Sequence, residues 1–292
     1  MLPLQLHQVL NLLLLLFLGS TTAFLYLECF TILALFLFTL LFEHLLIYFK
    51  TKRLDYFSFS SLATAMGVML MMVTPQWWIY MVVIGAGLLQ KHWIASHGIH
   101  FFNPSNFAIV IALLFFYQDA HIVLGQLGDQ FWLSLVVVVI GIVILWRANR
   151  WLIPIVFVAV YLLFQYLWVV AYDPVLVMEE VTHRFYSVSF IVFILFMLTD
   201  PRTTPEALWK QAAFALLIAL GASLLDRWVG FRVQHLFLSL FLFSLWVPLA
   251  VSGQDTLERK ALLIKTVGFT LMAIAVIIVI EMQPPYYFDM NG

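Results

Sequence analysis

Amide and ionisable side chains stand at two polar breaks in an otherwise apolar sequence. The first break runs from Lys91 to Asn103 and is followed by Pro104, and the second contains Asp200 followed by Pro201. Asparagine and aspartate accept hydrogen bonds from the free backbone N–H groups of a helix start, and proline fits the first helical turn. We therefore predict two capped helix N-termini, whose free backbone N–H groups would make anion or phosphate sites. The alternative is that both motifs simply cap membrane helices.

A second candidate lies inside apolar sequence, where Glu43 and His44 are adjacent. An ionisable group within a membrane span is costly and is a functional candidate by default. The first interpretation is an ion or proton pathway through this pair, or a buried ion pair between Glu43 and Lys91. The alternative is a carboxylate near the membrane surface that extends towards water.

Histidines are the residues that invite a metal or haem assignment. His92, His97 and His100 follow one another at spacings of five and three residues, which do not place them on one helix face. Gly98 is expected to interrupt a helix there, so we predict interfacial histidines that form hydrogen bonds, and no metal site. Cys29 is the single cysteine, which excludes an internal disulfide and a cysteine-ligated cluster built from this chain alone.

The composition requires an exterior that faces lipid. Hydrophobic residues make up 64% of the chain and charged residues 10%, whereas a soluble domain carries about 25% charged residues. No basic patch indicates nucleic-acid binding, and no Walker loop or dinucleotide-binding glycine motif occurs. The sequence therefore predicts an all-α integral membrane protein that is a single polytopic domain over residues 1–292, surrounded by membrane lipids.

Apolar stretches between polar breaks predict about ten to eleven transmembrane helices. They are expected at residues 8–26, 29–49, 58–74, 77–95, 104–117, 131–146, 151–171, 186–199, 207–225, 233–251 and 262–281. Lysine and arginine concentrate in alternate loops, with Arg184, Arg227 and Arg232 as exceptions. The positive-inside rule then predicts a cytoplasmic N-terminus and an external C-terminus. His235, in the tenth predicted span, is interpreted as structural.

Several blocks of the chain, in this order, resemble one known family. They are Glu43, residues 55–70, residues 74–78, Lys91 with residues 102–104, residues 147–154, residues 196–205 and residues 230–248. This is the NqrB/RnfD family, which contains one membrane subunit of the sodium-translocating NADH:quinone reductase and one of the Rnf electron-transport complex. The resemblance covers about residues 20–250 and leaves an extra C-terminal helix at 262–281.

The resemblance implies a fold like that of urea transporters, in which two inverted halves meet near the membrane midplane. It also implies a bacterial inner membrane protein that works with other membrane or peripheral subunits. Two loops would hold a flavin, a quinone or an anionic head group through charge-assisted hydrogen bonds. The candidate cofactor-binding residues are Lys91, His100, Asn103, Asp200, Arg202, Thr203 and Thr204.

One departure from the family pattern concerns its covalent cofactor. In the family, a threonine in a Ser-Gly-Ala-Thr motif carries covalently bound FMN, but residues 114–133 of this chain contain no threonine or serine. The Pro-Glu pair of the family is also replaced, by Arg232 and Val233. Covalent FMN is therefore not expected, and a noncovalent flavin or quinone is the remaining cofactor hypothesis.

Three functions are consistent with these observations. The first is a membrane subunit of an electron-transfer or redox-linked complex without covalent FMN. The second is a transporter or channel for a small solute or ion, built on a urea-transporter-like scaffold. The third is a structural subunit that holds a larger membrane complex together. No residue is assigned a catalytic role, so any enzyme activity would belong to a larger redox complex.

Overall fold

The structure is a computed structural model of the 292-residue chain. It describes residues 4–22, 27–52, 59–96, 99–123, 131–251 and 256–284. These residues are predominantly helical. The helices are α1 (Leu4–Thr22), α2 (Cys29–Thr51), α3 (Phe59–Met71), α4 (Trp77–Trp93), α5 (Pro104–Phe115), α6 (Phe131–Ala148), α7 (Leu152–Phe164), α8 (Met178–His183), α9 (Val188–Val192), α10 (Leu208–Val229), α11 (Gln234–Ser244), α12 (Val247–Val251) and α13 (Thr256–Glu281).

Three irregular turns extend these helices. A π-helical stretch, Gln165–Val170, continues α7, and a second, Phe193–Met197, continues α9. A 3₁₀ turn, Arg184–Tyr186, follows α8. Helices α8 and α9, with their extensions, form one apolar pair that is bent by 72°. Since π-helical stretches often mark functional sites, it is relevant that the one after α9 leads directly into the loop at Asp200.

Two short antiparallel ladders connect the helices. Strand β1 (Met72–Val73) pairs with β4 (His121–Ile122), which joins the end of α3 to the segment after α5. Strands β2 (Ala95–Ser96) and β3 (Ile99–His100) pair with each other between α4 and α5. The second ladder folds the first polar break back on itself, so that His100 lies just before the start of α5.

Each apolar segment that the sequence predicts contains a helix, but fewer of these helices are complete spans than predicted. Within the part of the chain that the structure describes, four are long and apolar enough to cross a membrane, or five if the bent pair counts as one span. Helices α3, α5 and α11 have 13, 12 and 11 residues. They rise about 17 to 20 Å, which is less than the roughly 30 Å of a hydrocarbon core. Hydropathy counts a short helix and its apolar flanks as one span, which explains the difference.

The short helices form the centre of the molecule and the long ones its periphery. Residues 65–72, which end α3 and enter β1, are almost completely buried, and so are most residues of α5 and α11. The span windows of α2 and α13 are only 22% buried, and they expose Leu37, Leu41, Ile264 and Leu271. Non-helical backbone at membrane depth is tolerated where protein covers it. The central short helices, which end in loops, meet that requirement.

Two glycines allow the start of α5 to lie unusually close to its neighbours. A Cβ added at Gly87 of α4 would lie 2.6 Å from the carbonyl oxygen of Pro104. A Cβ added at Gly67 of α3 would lie 2.6 Å from Oγ of Ser105. Any side chain at these positions would therefore push α5 away, and with it the first residues after the polar break.

Candidate functional site

Asn103 caps helix α5 as the sequence predicts. Its Oδ1 accepts hydrogen bonds from the backbone N–H groups of Ser105 (3.0 Å) and Asn106 (3.1 Å), and Pro104 occupies the first helical position. The N–H of Phe107 donates to the carbonyl of Asn103. Because proline has no N–H, these bonds use every N–H of the first turn. The predicted anion site at this helix start is therefore wrong: it has no free donors for a phosphate.

Asp200 caps a turn and not a helix, which corrects the second cap prediction. Its Oδ1 accepts from the N–H of Arg202 (3.0 Å), and its carbonyl oxygen accepts from the N–H of Thr203 and from Oγ1 of Thr204 (2.8 Å). The next helix begins later, at Leu208, without a side-chain cap. The proline at 201 ends the preceding helix, but the chain needs several more residues before α10 can start.

The two predicted loops meet, although 97 residues separate their central side chains. Nδ2 of Asn103 donates to Oδ2 of Asp200 (3.1 Å) and also approaches the carbonyl oxygen of Met197 (3.4 Å). The N–H of His100 donates to the carbonyl of Arg202 (3.3 Å). A side-chain bond and a backbone bond thus hold the first polar break against the second. We call this contact the loop junction.

Arg150 holds the Asp200 side of the loop junction in place. Its Nε donates to Oγ1 of Thr204 (2.8 Å), and the arginine is 5% exposed. Nearby, Nε2 of Gln211 donates to the carbonyl oxygens of Asn149 and Glu206. In the sequence, Arg150 stands out only as one charge in a basic loop. Its proximity to Thr204 could not be inferred, because 54 residues separate them.

A pocket of about 140 Å³ lies beside the loop junction. Polar groups line one part of it, contributed by His100, Asn103, Ser105, Asp200 and Arg202. The other walls come from α1, α3, α9 and the π-helical stretch after it; they are mainly apolar but also contain Gln8, Ser60 and Thr64. They include Leu12, Phe59, Ala63, Met71, Val192, Phe196 and Met197. The pocket therefore suits a ligand with a polar edge and an apolar body.

His100 lines the pocket and has a ring nitrogen without a hydrogen-bond partner among the described residues. The residue is 8% exposed, and this nitrogen is Nδ1. Burial, and secondarily the positive charge of Arg202, lowers the pKa of His100 to about 4. The imidazole is therefore neutral near pH 7, with one donor and one acceptor nitrogen. A buried polar atom without a partner is costly, and the residue that carries it lines the pocket, so His100 is the candidate ligand contact.

The pKa of Asp200 is shifted in the opposite direction to that of His100. Burial raises the pKa of its carboxyl above the usual value, although the N–H and the charge of Arg202 partly offset this effect. The carboxyl shares its oxygens with Asn103 and with the backbone of its own turn. Asp200 consequently organises the loop junction, and its remaining capacity towards a ligand is small.

Glu43 and Lys91 form a buried ion pair outside the pocket. Nζ of Lys91 lies 2.8 Å from Oε1 of Glu43, and Nε2 of His92 lies 3.0 Å from Oε2. Glu43 is 1% exposed, so it does not extend towards water. Lys91 was predicted to bind a cofactor, but it does not line the pocket and its ammonium is used by Glu43. His44 contacts the Leu40 carbonyl of its own helix instead of joining this pair.

The remaining predicted site residues divide between the pocket and its support. Arg202 is exposed and lines the pocket, whereas Thr203 and Thr204 are buried in the turn behind it. His97 and Gly98 lie outside the described residues, as do residues 55–58 of one family-like block and residues 124–130 of the segment that lacks the FMN threonine.

Comparison with known proteins finds no protein-family model and no curated protein sequence that matches this chain. The fold and the site define a helical protein with several membrane-length apolar helices and a small pocket where shorter central helices end. The family resemblance inferred from the motifs stays a prediction, and the function has to be argued from the pocket itself.

Proposed function

We propose that this chain is an integral membrane subunit of an electron-transfer or redox-linked complex, and that its pocket binds a quinone ring noncovalently. The observation that carries the proposal is the neutral, buried His100, which lines a pocket with mainly apolar walls and whose Nδ1 has no partner among the described residues. A quinone presents carbonyl oxygens at the edge of an apolar ring, which matches this division of the pocket.

The size of the pocket favours a quinone over a flavin. An apolar cavity of about 150 Å³ holds one benzene ring, and the pocket here has about 140 Å³. A single six-membered ring fits that volume, whereas the three fused rings of a flavin exceed it. The capped start of α5 also offers no free N–H for the phosphate of FMN.

The donors and acceptors of the pocket can orient such a ring. The His100 nitrogen and the Arg202 guanidinium can donate to a carbonyl oxygen, and a charged donor gives the stronger bond. The chain supplies no electron carrier of its own, so a partner subunit would deliver the electrons. The pocket residues would bind and orient the ring and keep water from its apolar faces.

Membership of the resembling family, with its two inverted halves, belongs to the same proposal. Support comes from the contact between the two corresponding motifs at Asn103 and Asp200. The basic residues Lys50, Lys91 and Arg202 lie at the end of the molecule where the loop junction is found. By the positive-inside rule this end would face the cytoplasm of a bacterial inner membrane.

A binding experiment on the purified chain in mild detergent tests the proposal. A short-chain benzoquinone should bind and FMN should not. A His100→Leu substitution removes the ring nitrogens at similar volume, and we expect the quinone Kd to rise about tenfold because one hydrogen bond is lost. His183→Leu, at an exposed histidine, is the matched control. Unchanged quinone affinity in His100→Leu, or FMN binding by the wild-type chain, would contradict the proposal.

A small-solute transporter is the second candidate function. The observation that favours it is the set of short central helices, α3, α5 and α11, since discontinuous helices build substrate sites in transporters. Proteoliposomes that conduct urea, together with a chain that does not bind quinone, would replace the first proposal with this one. A chain inactive in both assays that always co-purifies with other subunits would indicate a structural subunit.

A further inference from the structure

A second buried polar cluster lies at the other end of helix α10. Asp226 follows Leu208, the first residue of α10, by 18 residues, which corresponds to about 27 Å of helix rise. The start of α10 contacts the loops of the pocket end through Gln211. The cluster, which we call the far-end cluster, therefore lies far from the pocket. It consists of Tyr161, Gln165, Arg184, Asp226, Arg232, Gln234, His235 and Glu281.

His235 of α11 lies between two carboxylates from different helices. Its Nδ1 is 2.6 Å from Oδ1 of Asp226 in α10, and its Nε2 is 3.3 Å from Oε1 of Glu281 in α13. The imidazole is completely buried. The contact with Glu281 is close, but it is not aligned as a hydrogen bond, so Nε2 has no hydrogen-bond partner among the described residues.

Asp226 acts as an acceptor, because donors surround both of its oxygens. Oδ1 accepts from the N–H of Arg232 as well as from His235, and Oδ2 accepts from Nε2 of Gln165 (2.7 Å) and faces the hydroxyl of Tyr161 (3.4 Å). A carboxylate in this setting accepts and does not donate. Nδ1 of His235 must therefore carry the proton of the short bond to Asp226.

Glu281 is an acceptor as well. Its Oε1 accepts from Nε2 of Gln234 (2.7 Å), and its Oε2 lies 3.3 Å from a guanidinium nitrogen of Arg232. On the other side, a guanidinium nitrogen of Arg184 lies 3.9 Å from Oδ2 of Asp226 and donates to the hydroxyl of Tyr161 (2.7 Å). The two guanidiniums balance the two carboxylates, and the state of His235 decides the net charge.

These contacts leave one atom whose protonation is not fixed, Nε2 of His235. If Nε2 is bare, its lone pair faces an oxygen of the Glu281 carboxylate at 3.3 Å, which is repulsive. If Nε2 carries a proton, the same approach is attractive, because opposite charges then face each other in a region of low polarity. The geometry therefore favours the doubly protonated ring.

We propose that the far-end cluster is a proton-binding site in which Nε2 of His235 holds one exchangeable proton. On uptake, one proton moves from solvent to Nε2, Asp226 and Glu281 stay ionised, and the charge of the cluster rises by one. Its entry route is through Glu281, whose side chain is 10% exposed. A second pocket, lined by Arg232 and Gln234, lies next to that carboxylate and opens to the surface.

Protonation of His235 would also change how firmly the C-terminal helix α13 is attached. Among the described contacts of α13, those of Glu281 with His235, Gln234 and Arg232 tie its last turn to α11. Loss of the proton removes the attraction between His235 and Glu281 and weakens that attachment. The cluster shares no residue with the pocket, so this inference does not depend on the quinone proposal.

NMR of the full-length chain in detergent, with ¹⁵N-labelled histidine rings, tests the proposal. The His235 signal is identified by its loss in His235→Gln or, if that variant does not fold, by its change in Glu281→Gln. We expect both ring nitrogens of His235 to be protonated at pH 7 in the wild-type chain. In Glu281→Gln, the ratio of protonated to neutral ring should fall at least about tenfold, because an opposite charge is removed.

The control is Glu258→Gln, which removes an exposed carboxylate from the first turn of the same helix. It should leave the His235 signal unchanged. A His235 ring that keeps a bare Nε2 from pH 5 to pH 8 would overturn the proposal. So would a Glu281→Gln spectrum with the wild-type ratio of protonated to neutral ring, since the carboxylate would then have no effect on the proton.

Discussion

The loop junction and the far-end cluster are both buried polar assemblies built from distant parts of the chain, but they differ in what remains unpaired. At the loop junction, Asn103 and Asp200 bond to each other, and the adjacent His100 keeps an unused nitrogen beside a pocket. At the far end, Asp226 is saturated and the open nitrogen of His235 faces a carboxylate at 3.3 Å. A residue with an unpaired polar atom in a pocket wall indicates a ligand contact, whereas an unpaired nitrogen that faces a carboxylate indicates a bound proton.

The buried pair of Glu43 and Lys91 offers the test with the largest expected effect, because Glu43, like Asp226, has partners on both carboxylate oxygens. Lys91→Met leaves the Glu43 carboxylate buried with His92 alone, and we expect a loss of about 3 to 5 kcal/mol in the free energy of unfolding. The double variant Glu43→Gln/Lys91→Met should recover most of that loss. Denaturation in detergent micelles measures both.

If Lys91→Met is as stable as the wild-type chain, the pair is not a structural contact. An ion or proton pathway through Glu43 would then again be the better interpretation. His44→Leu, which alters the neighbouring histidine without touching the pair, is the control and should change stability much less than Lys91→Met.

The close packing around α5 gives the next largest effect. Gly87→Ala places a Cβ 2.6 Å from the carbonyl oxygen of Pro104, and that backbone atom cannot move away without shifting α5. We expect a loss of about 1 to 3 kcal/mol in stability, together with weaker quinone binding. The matched control is Gly268→Ala in α13, where no atom lies within 4 Å of the added Cβ and alanine favours the helix.

The pH dependence of stability tests the state of His100. Its pKa is about 4 in the folded chain, below the ordinary value of about 6.5. The unfolded chain therefore binds a proton first as the pH falls, and stability is lost between about pH 6.5 and 4. At pH 5 the loss should be roughly 2 kcal/mol. His100→Gln should lack this component, and equal pH profiles of the two chains would contradict the neutral, buried histidine.

The smallest effect on stability is expected for Asp200→Asn. An asparagine keeps the oxygen that accepts from the N–H of Arg202, but its Nδ2 replaces the oxygen that accepts from Asn103. One buried bond is lost, so the free energy of unfolding should fall by only about 1 kcal/mol and expression should be normal. Because the bond between the two loops is gone, quinone binding should weaken about tenfold. Glu206→Gln, an exposed position in the same loop, is the control. Wild-type binding by Asp200→Asn would remove this residue from the site.

The sequence could predict the elements of the pocket end because their signals are local. A cap is encoded by adjacent residues, as in Asn103 followed by Pro104, and the apolar periodicity of each helix lies within one segment. The contact between Asn103 and Asp200 could not be predicted from either motif, because 97 residues separate them. Only the Asn103 motif starts a helix directly. After Pro201 the chain turns first, and the sequence does not show how.

The far-end cluster could not be predicted, because its partners are far apart in sequence. His235 and Glu281 are separated by 46 positions, and no local motif links them. The one signal in the sequence was the cost of an ionisable group within a span, which applied to Glu43 and His235 alike. Only the packing of α10, α11 and α13 brings the second carboxylate to the histidine.

Photoaffinity labelling tests the central claim, a quinone site beside the loop junction, most directly. A photoreactive benzoquinone would be cross-linked to the purified chain and the labelled peptides mapped by mass spectrometry. We expect label on α3, Phe59–Met71, and on residues 192–202, suppressed by excess benzoquinone and reduced in His100→Leu. Label confined to the exposed apolar faces of α2 and α13, with no competition by excess quinone, would show partition into the detergent layer and contradict the account.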